Sequence, residues 1–60
     1  MTGKELVRLL ENNGWTLDRI SGSHYIMTKA NKTLSVPVHS SKELGKGLLS
    51  KLMKAGGLKK

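Results

Sequence analysis

Hydrophobic residues near the start of the chain recur at the spacing of an α-helix. Thr2 and Glu5 precede and enter this segment as a T-x-x-E capping box, in which each side chain binds a free backbone N–H at a helix start. Gly14 suits the other end because glycine adopts the left-handed conformation at little cost. The pattern therefore predicts a helix from about Gly3 to Asn13, with an apolar side formed by Leu6, Val7, Leu9 and Leu10.

The middle of the chain alternates apolar and polar residues in three short segments, 15–20, 24–29 and 33–36. Turn-forming residues separate them, and Gly22 in the first connection supplies the positive φ that tight hairpins need. Pro37 has no backbone N–H, so the third strand is predicted to end there or to lie at a sheet edge. Two successive hairpins make an antiparallel, three-stranded meander.

A second helix is predicted from apolar residues that recur every third or fourth position. Ser40 and Glu43 repeat the capping pattern and place the start of this helix near Ser40. The glycine pair after Ala55 ends it. The apolar stripe, which is predicted to be core, consists of Leu44, Leu48, Leu49, Leu52 and Met53.

Gly45 and Gly47 fall inside this predicted helix, where each costs about 1 kcal/mol relative to alanine. Either a neighbour approaches the helix closely at these positions, or the first helical turn is irregular. The pattern alone does not choose between them.

The predicted order is α-β-β-β-α, which is an α+β fold. Each helix has one apolar side and the sheet needs one covered face, so two helices should pack side by side on one face of the three-stranded antiparallel sheet. A chain of 60 residues buries only about 60% of its unfolded surface, so residues 1–60 are expected to form one small domain without a deep cavity.

Composition adds a strong positive charge to this picture. Eleven Lys and Arg against four acids give a net charge of +7, which favours nucleic acid or an acidic protein as partner, although solubility alone also explains it. Cysteine is absent, the acids are dispersed, and the two histidines are far apart, so no metal or other cofactor is expected. No apolar run has the length of a membrane span or a signal peptide, so we expect a cytoplasmic protein without membrane contact.

Candidate chemistry concentrates at the first hairpin turn, where serine hydroxyls and backbone N–H groups surround Gly22 and His24 follows at once. A histidine side chain has an ordinary pKa of about 6.5, so it can act as general acid or base near neutral pH. The turn could hold phosphate oxygens while Lys or Arg offsets developing charge. A surface histidine without a task, and a plain glycine turn, explain the same residues.

Five segments together resemble the HicA toxin family of bacterial and archaeal toxin–antitoxin modules, over nearly the whole chain. They are Gly14-Trp15, Gly22-Ser23-His24, Val36-Pro37-Val38-His39, Glu43-Leu44-Gly45-Lys46-Gly47 and Ala55-Gly56. The resemblance implies a double-stranded-RNA-binding-domain-like fold, ribosome-independent cleavage of mRNA, and neutralisation by a HicB antitoxin. It maps the catalytic histidine onto His24 and the histidine of a V-P-x-H segment onto His39.

The expected RNA contacts are Gly22, Ser23, Arg19, Lys29 and Lys46. A second proton-transfer group is not evident: His39 and Tyr25 are the two choices, and strand alternation places Tyr25 on the opposite sheet face from His24. Two other functions fit the same pattern. One is a non-catalytic double-stranded RNA-binding domain, and the other is a module whose basic face binds an acidic protein.

Overall fold

The computed structural model of the chain describes residues 1–39 and 42–58. Its elements are helix α1 (Gly3–Asn12), strands β1 (Thr16–Ser21), β2 (His24–Lys29) and β3 (Lys32–Pro37), and helix α2 (Lys46–Ala55). The strands form one antiparallel sheet in the order β1-β2-β3. The predicted α+β class and the α-β-β-β-α order are confirmed. Among the described residues, neither helix is long and apolar enough to cross a membrane.

Helix α1 starts with the predicted capping box. The Glu5 backbone N–H donates to the Thr2 hydroxyl at 3.2 Å, and the Thr2 backbone N–H donates to the Glu5 carboxylate at 2.8 Å. The second of these bonds stabilises the ionised carboxylate and lowers the pKa of Glu5. The helix ends at Asn12, one residue before the predicted end.

Both helices pack on the same face of the sheet, as predicted. Met27, Leu34 and Val36 supply the sheet side of the core, and Leu6 and Leu10 supply the α1 side. Leu52 is the buried residue that helix α2 contributes to this core.

The end of α2 is fixed between α1 and the sheet. A Cβ atom at Gly56 would lie 2.7 Å from Leu10 Cδ2 and 3.6 Å from Leu34 Cδ2, so only glycine fits there without rearrangement. The buried Trp15 donates its indole N–H to the Gly56 carbonyl at 3.0 Å. This bond joins the segment after α1 to the segment after α2.

The predicted start of the second helix is wrong. Helix α2 begins at Lys46, and Gly45 precedes it without a side-chain cap. Glu43 does not cap the helix, because its carboxylate binds the Met1 amine at 2.6 Å and its backbone pairs with Thr2. Ser40, the other half of the predicted cap, lies outside the described residues.

The late start also changes the apolar side of α2. Leu44 precedes the helix, so the side that faces the core is formed by Leu49, Leu52 and Met53. Leu48 is 42% exposed, and its predicted place in the core is wrong.

A close neighbour does not explain the two glycines near the start of α2, and the later start of the helix explains Gly45 alone. A Cβ atom at Gly45 or Gly47 would have no atom within 4 Å in the described part of the chain. Gly45 is the residue before the helix, where a helical conformation is not required.

Candidate active site

A two-residue turn, Gly22-Ser23, joins β1 to β2 and places Ser21 opposite His24. Gly22 has a φ of +61°, the value that the first position of such a turn demands and that glycine adopts without strain. The Val38 backbone N–H donates to the Ser23 carbonyl at 2.7 Å. The turn is therefore fixed to the segment that follows β3.

His24 lies on the face of the sheet that the helices leave open. Directly paired residues in an antiparallel sheet point to the same face, and the cross-strand partners of His24 are Ser21 and Pro37. Its neighbour Tyr25 pairs with the buried Val36 and so faces the helices, as strand alternation predicted. His24 is exposed, and its side chain has no hydrogen-bond or ion-pair partner within residues 1–39 and 42–58.

A β-bulge at Asp18 turns Arg19 toward this open face. Leu17 pairs with Met27 and Arg19 pairs with Ile26, so two steps along β1 match one step along β2. In a regular strand, Leu17 and Arg19 would share a face because side chains repeat every second residue. The extra residue separates them: Leu17 packs against the core, and Arg19 lies on the His24 face.

Arg19 is a diagonal neighbour of His24, a relationship that places Cα atoms about 7–8 Å apart. Its nearest acid is Asp18, at 3.9 Å, and both side chains are largely exposed. An exposed ion pair of this kind holds a side chain only weakly. The Arg19 guanidinium therefore remains accessible to an anion on the open face.

His39 lies at the same end of the sheet as His24. It follows the His24 partner Pro37 by two residues, which span at most about 7 Å. The side chain is exposed, and the His39 carbonyl accepts a hydrogen bond from the Lys42 N–H at 2.9 Å. The two histidines of the chain thus lie at the same end of the sheet, although fifteen positions separate them in sequence.

The structure does not bring Lys29 to His24. The two residues stand at opposite ends of β2, about 17 Å apart along the strand, and on opposite faces. The Lys29 ammonium donates to the Asn13 carbonyl at 2.9 Å, so it binds the end of α1. Its role as an RNA contact therefore stays a prediction, and any such contact would lie away from His24. Lys46 is exposed in the first turn of α2, a helix that packs against β3.

The sequence that folds in this way matches the model of a known family. The chain matches the family model described as HicA toxin of bacterial toxin-antitoxin over residues 3–58, a range that contains both helices and the whole sheet. This chain belongs to the HicA toxin family. The match confirms the resemblance of its motifs and makes the chain a toxin of a toxin–antitoxin pair. Comparison with the curated proteins gave no match.

This HicA-family chain also has a concave surface, which the sequence did not predict. A groove of about 810 Å³ lies between α1 and the first hairpin, and we call it the hairpin groove. Its residues are Thr2, Lys4, Glu5, Arg8, Ile20, Gly22, Ser23, Tyr25 and Val38. In the sequence, the groove could have been indicated by the spacing of Lys4 and Arg8. These residues are one helical turn apart on the exposed side of α1.

Metal-ligating side chains are dispersed over the fold. In the described part of the chain, no three side chains of His, Cys, Asp or Glu come together as a bound metal ion would require.

Proposed function

We propose that this HicA-family toxin is an endoribonuclease of the cytoplasm that cleaves mRNA without a metal ion, and that a HicB-type antitoxin neutralises it. The observation that carries the proposal is the position of His24. The imidazole is exposed at a hairpin tip, on the open face of the sheet, with Ser21 and Arg19 on the same face.

The chemistry that suits these groups is attack of the RNA 2′-OH on the adjacent phosphate. His24 takes the proton from the 2′-OH, the O2′–P bond forms, and the P–O5′ bond breaks. The departing 5′-oxygen takes up a proton, which leaves one product with a 2′,3′-cyclic phosphate and the other with a 5′-OH. The roles of acid and base are interchangeable between His24 and the group that assists it.

Charge on the phosphate increases as the bond to O2′ forms. The Arg19 guanidinium donates to the non-bridging oxygens and offsets this charge. Backbone N–H groups at Gly22 and Ser23 support the same oxygens, because successive N–H groups in a turn form a small anion-binding concavity. Gly22 leaves room for this approach, since no atom of residues 1–39 and 42–58, its two chain neighbours apart, lies within 4 Å of its Cβ position.

His39 is our candidate for the second proton transfer. It lies at the same end of the sheet and is exposed. Tyr25, the other choice, faces the helices and is half-buried on the wrong side of β2. Water at the open face serves if His39 does not.

RNA recognition in this proposal rests on the phosphate and the 2′-OH, with little reading of bases. Trp15 is only 4% exposed and its indole N–H is bonded to Gly56, so it is not free to stack on a base. The net charge of +7 supports binding to a polyanion. Each phosphate contact with single-stranded RNA should contribute about −0.7 to the slope of log K against log salt.

An antitoxin that covers the open face of the sheet would block this chemistry directly. The proposed HicB-type partner therefore competes with RNA for His24 and for Arg19. Its binding surface would have to carry acidic groups that complement the basic chain.

The test is incubation of the purified protein with a single-stranded RNA in EDTA, beside a DNA oligonucleotide of the same sequence. The proposal expects RNA cleavage with 2′,3′-cyclic phosphate ends and intact DNA, because DNA lacks the 2′-OH. RNA that is bound but never cut would favour the non-catalytic RNA-binding domain. Loss of cleavage in EDTA would contradict the metal-free mechanism.

A further inference from the structure

Helix α1 does not cover one corner of the sheet face against which it packs. Ile20 and Tyr25 are direct cross-strand partners on the helix side, yet Ile20 is 53% exposed and Tyr25 is only half-buried. The first hairpin extends past α1 at this corner and opens the hairpin groove. An isoleucine and a tyrosine therefore form an apolar surface that the described chain covers only in part.

The α1 side of the same groove is positively charged. Lys4 and Arg8 lie one turn apart and are exposed, and neither has an acidic partner within 4 Å in the described residues. The nearby Glu5 carboxylate is held by the Thr2 backbone N–H at the start of α1. A groove with two accessible cations on one side and an aromatic ring on the other suits a nucleotide, which has a phosphate and a flat base.

The groove shares its end with the candidate active site. Gly22 and Ser23 line it, and His24 is the next residue of the chain. The hairpin tip therefore separates the groove, on the helix side, from the imidazole, on the open face. The open space around Gly22 lets a nucleic-acid strand pass closely over the tip. One strand can occupy both sides at once.

We infer that the hairpin groove binds an unpaired nucleotide next to the cleaved phosphate, with Lys4 and Arg8 on its phosphate and Tyr25 and Ile20 against its base. This inference rests on the proposed function, since it names where the same substrate continues beyond His24. RNA is favoured over a protein segment because the groove ends at the turn that carries His24.

The experiment compares two double variants with the same loss of charge. Lys4→Ala/Arg8→Ala removes the cations of the groove, and Lys51→Ala/Lys54→Ala removes two exposed lysines of α2 outside it. Binding of a single-stranded RNA is measured in a His24→Ala background, so that the substrate stays intact. We expect the groove variant to lose about 10-fold or more in affinity and, for the one phosphate that both cations contact, about 0.7 from the salt slope. The α2 variant should lose less of both.

A further variant, Ile20→Glu, places a negative charge in the groove and replaces an exposed residue. Thermal unfolding checks that this variant is folded. In the protein that retains His24, it and the groove double variant should raise KM and leave kcat unchanged, because the removed contacts bind substrate before and during reaction alike.

The possible outcomes distinguish a failure of the proposed function from a failure of the inference about the hairpin groove. A parent protein that neither binds nor cleaves RNA would remove the proposed function and this inference with it. A parent that cleaves RNA while the groove and α2 variants behave alike would remove the inference alone. Groove variants that keep their RNA KM but no longer bind the antitoxin would identify the groove as a protein-docking surface and overturn the inference.

Discussion

Ser21 lies directly opposite His24 across the first hairpin, and both side chains point to the sheet face that the helices leave open. This relationship depends on the bulge at Asp18, which lets β1 place Leu17 in the core and still turn Arg19 and Ser21 outward. The positive charge beside the imidazole therefore comes from Arg19, which the extra residue Asp18 turns to the open face.

The first prediction concerns Arg19. Because a hydrogen bond to a charged group contributes about 1.5–3 kcal/mol, Arg19→Ala should lower kcat/KM for RNA cleavage by about 10- to 150-fold, and Arg19→Lys by less. Initial rates on a defined RNA give the value. Asp18→Ala is the control, since its exposed ion pair with Arg19 is weak. Equal losses for Arg19→Ala and Asp18→Ala would show that the guanidinium does not stabilise the charge on the phosphate.

The second prediction concerns the two hairpin turns, which both have a positive φ at their first position. Gly22 has φ +61° and Ala30 has φ +54°, and only glycine adopts this region without strain. Ala30→Gly should raise the free energy of unfolding by about 0.5–1 kcal/mol, and Gly22→Ala should lower it by about 1 kcal/mol. Urea unfolding with an unchanged m-value is the measurement. The same sign for both substitutions would contradict the strain argument.

The third prediction compares two glycine-to-alanine changes at helix starts. A Cβ at Gly3 would overlap the Pro37 carbonyl oxygen, so Gly3→Ala should force α1 away from the end of β3 and cost about 1–3 kcal/mol. Gly47→Ala in α2 meets no neighbour within the described part of the chain and should stabilise the protein by up to about 1 kcal/mol. Thermal unfolding of the two variants measures both effects. Equal destabilisation would mean that the close contact at Gly3 has no energetic weight.

The fourth prediction follows from the capping box of α1. The Thr2 N–H lowers the pKa of Glu5 below its ordinary value of 4.5, so the folded state releases this proton more readily than the unfolded state. The resulting stability is present above about pH 4.5 and is lost as the pH falls through the lowered pKa of the folded state.

Thermal midpoints from neutral pH down to about pH 2 check this, with Glu5→Gln as the control. Glutamine keeps the cap but does not ionise, so the acid-side fall in stability should be shallower in that variant. An identical pH dependence in both proteins would exclude Glu5 as its source.

The fold was predictable wherever short-range patterns decide the structure. The capping box at Thr2 and the turn at Gly22 need only neighbouring residues, and both formed as predicted. The start of α2 was missed because Glu43 binds Met1, which lies 42 positions away in the sequence. Local capping patterns do not reveal such a distant partner.

The candidate site was predictable only in part. The motif indicated His24 and its turn, but the side of the sheet on which Arg19 lies depends on a bulge that the alternation of β1 does not show. The sequence offers Lys29 as an RNA contact, but no short-range pattern shows that its ammonium donates to the Asn13 carbonyl at the end of α1. The hairpin groove lies between α1 and the first hairpin. These elements are separate in the sequence, so no local pattern indicates the groove.

The central claim is that His24 transfers a proton during RNA cleavage, and its most direct test is single-turnover cleavage by the His24→Ala variant together with its RNA affinity. Thr33→Ala, on the same sheet face at the opposite end, is the control. We expect His24→Ala to cleave about 100- to 10,000-fold more slowly while binding RNA with nearly the parent affinity, and Thr33→Ala to match the parent. Cleavage by His24→Ala at the parent rate would contradict the account.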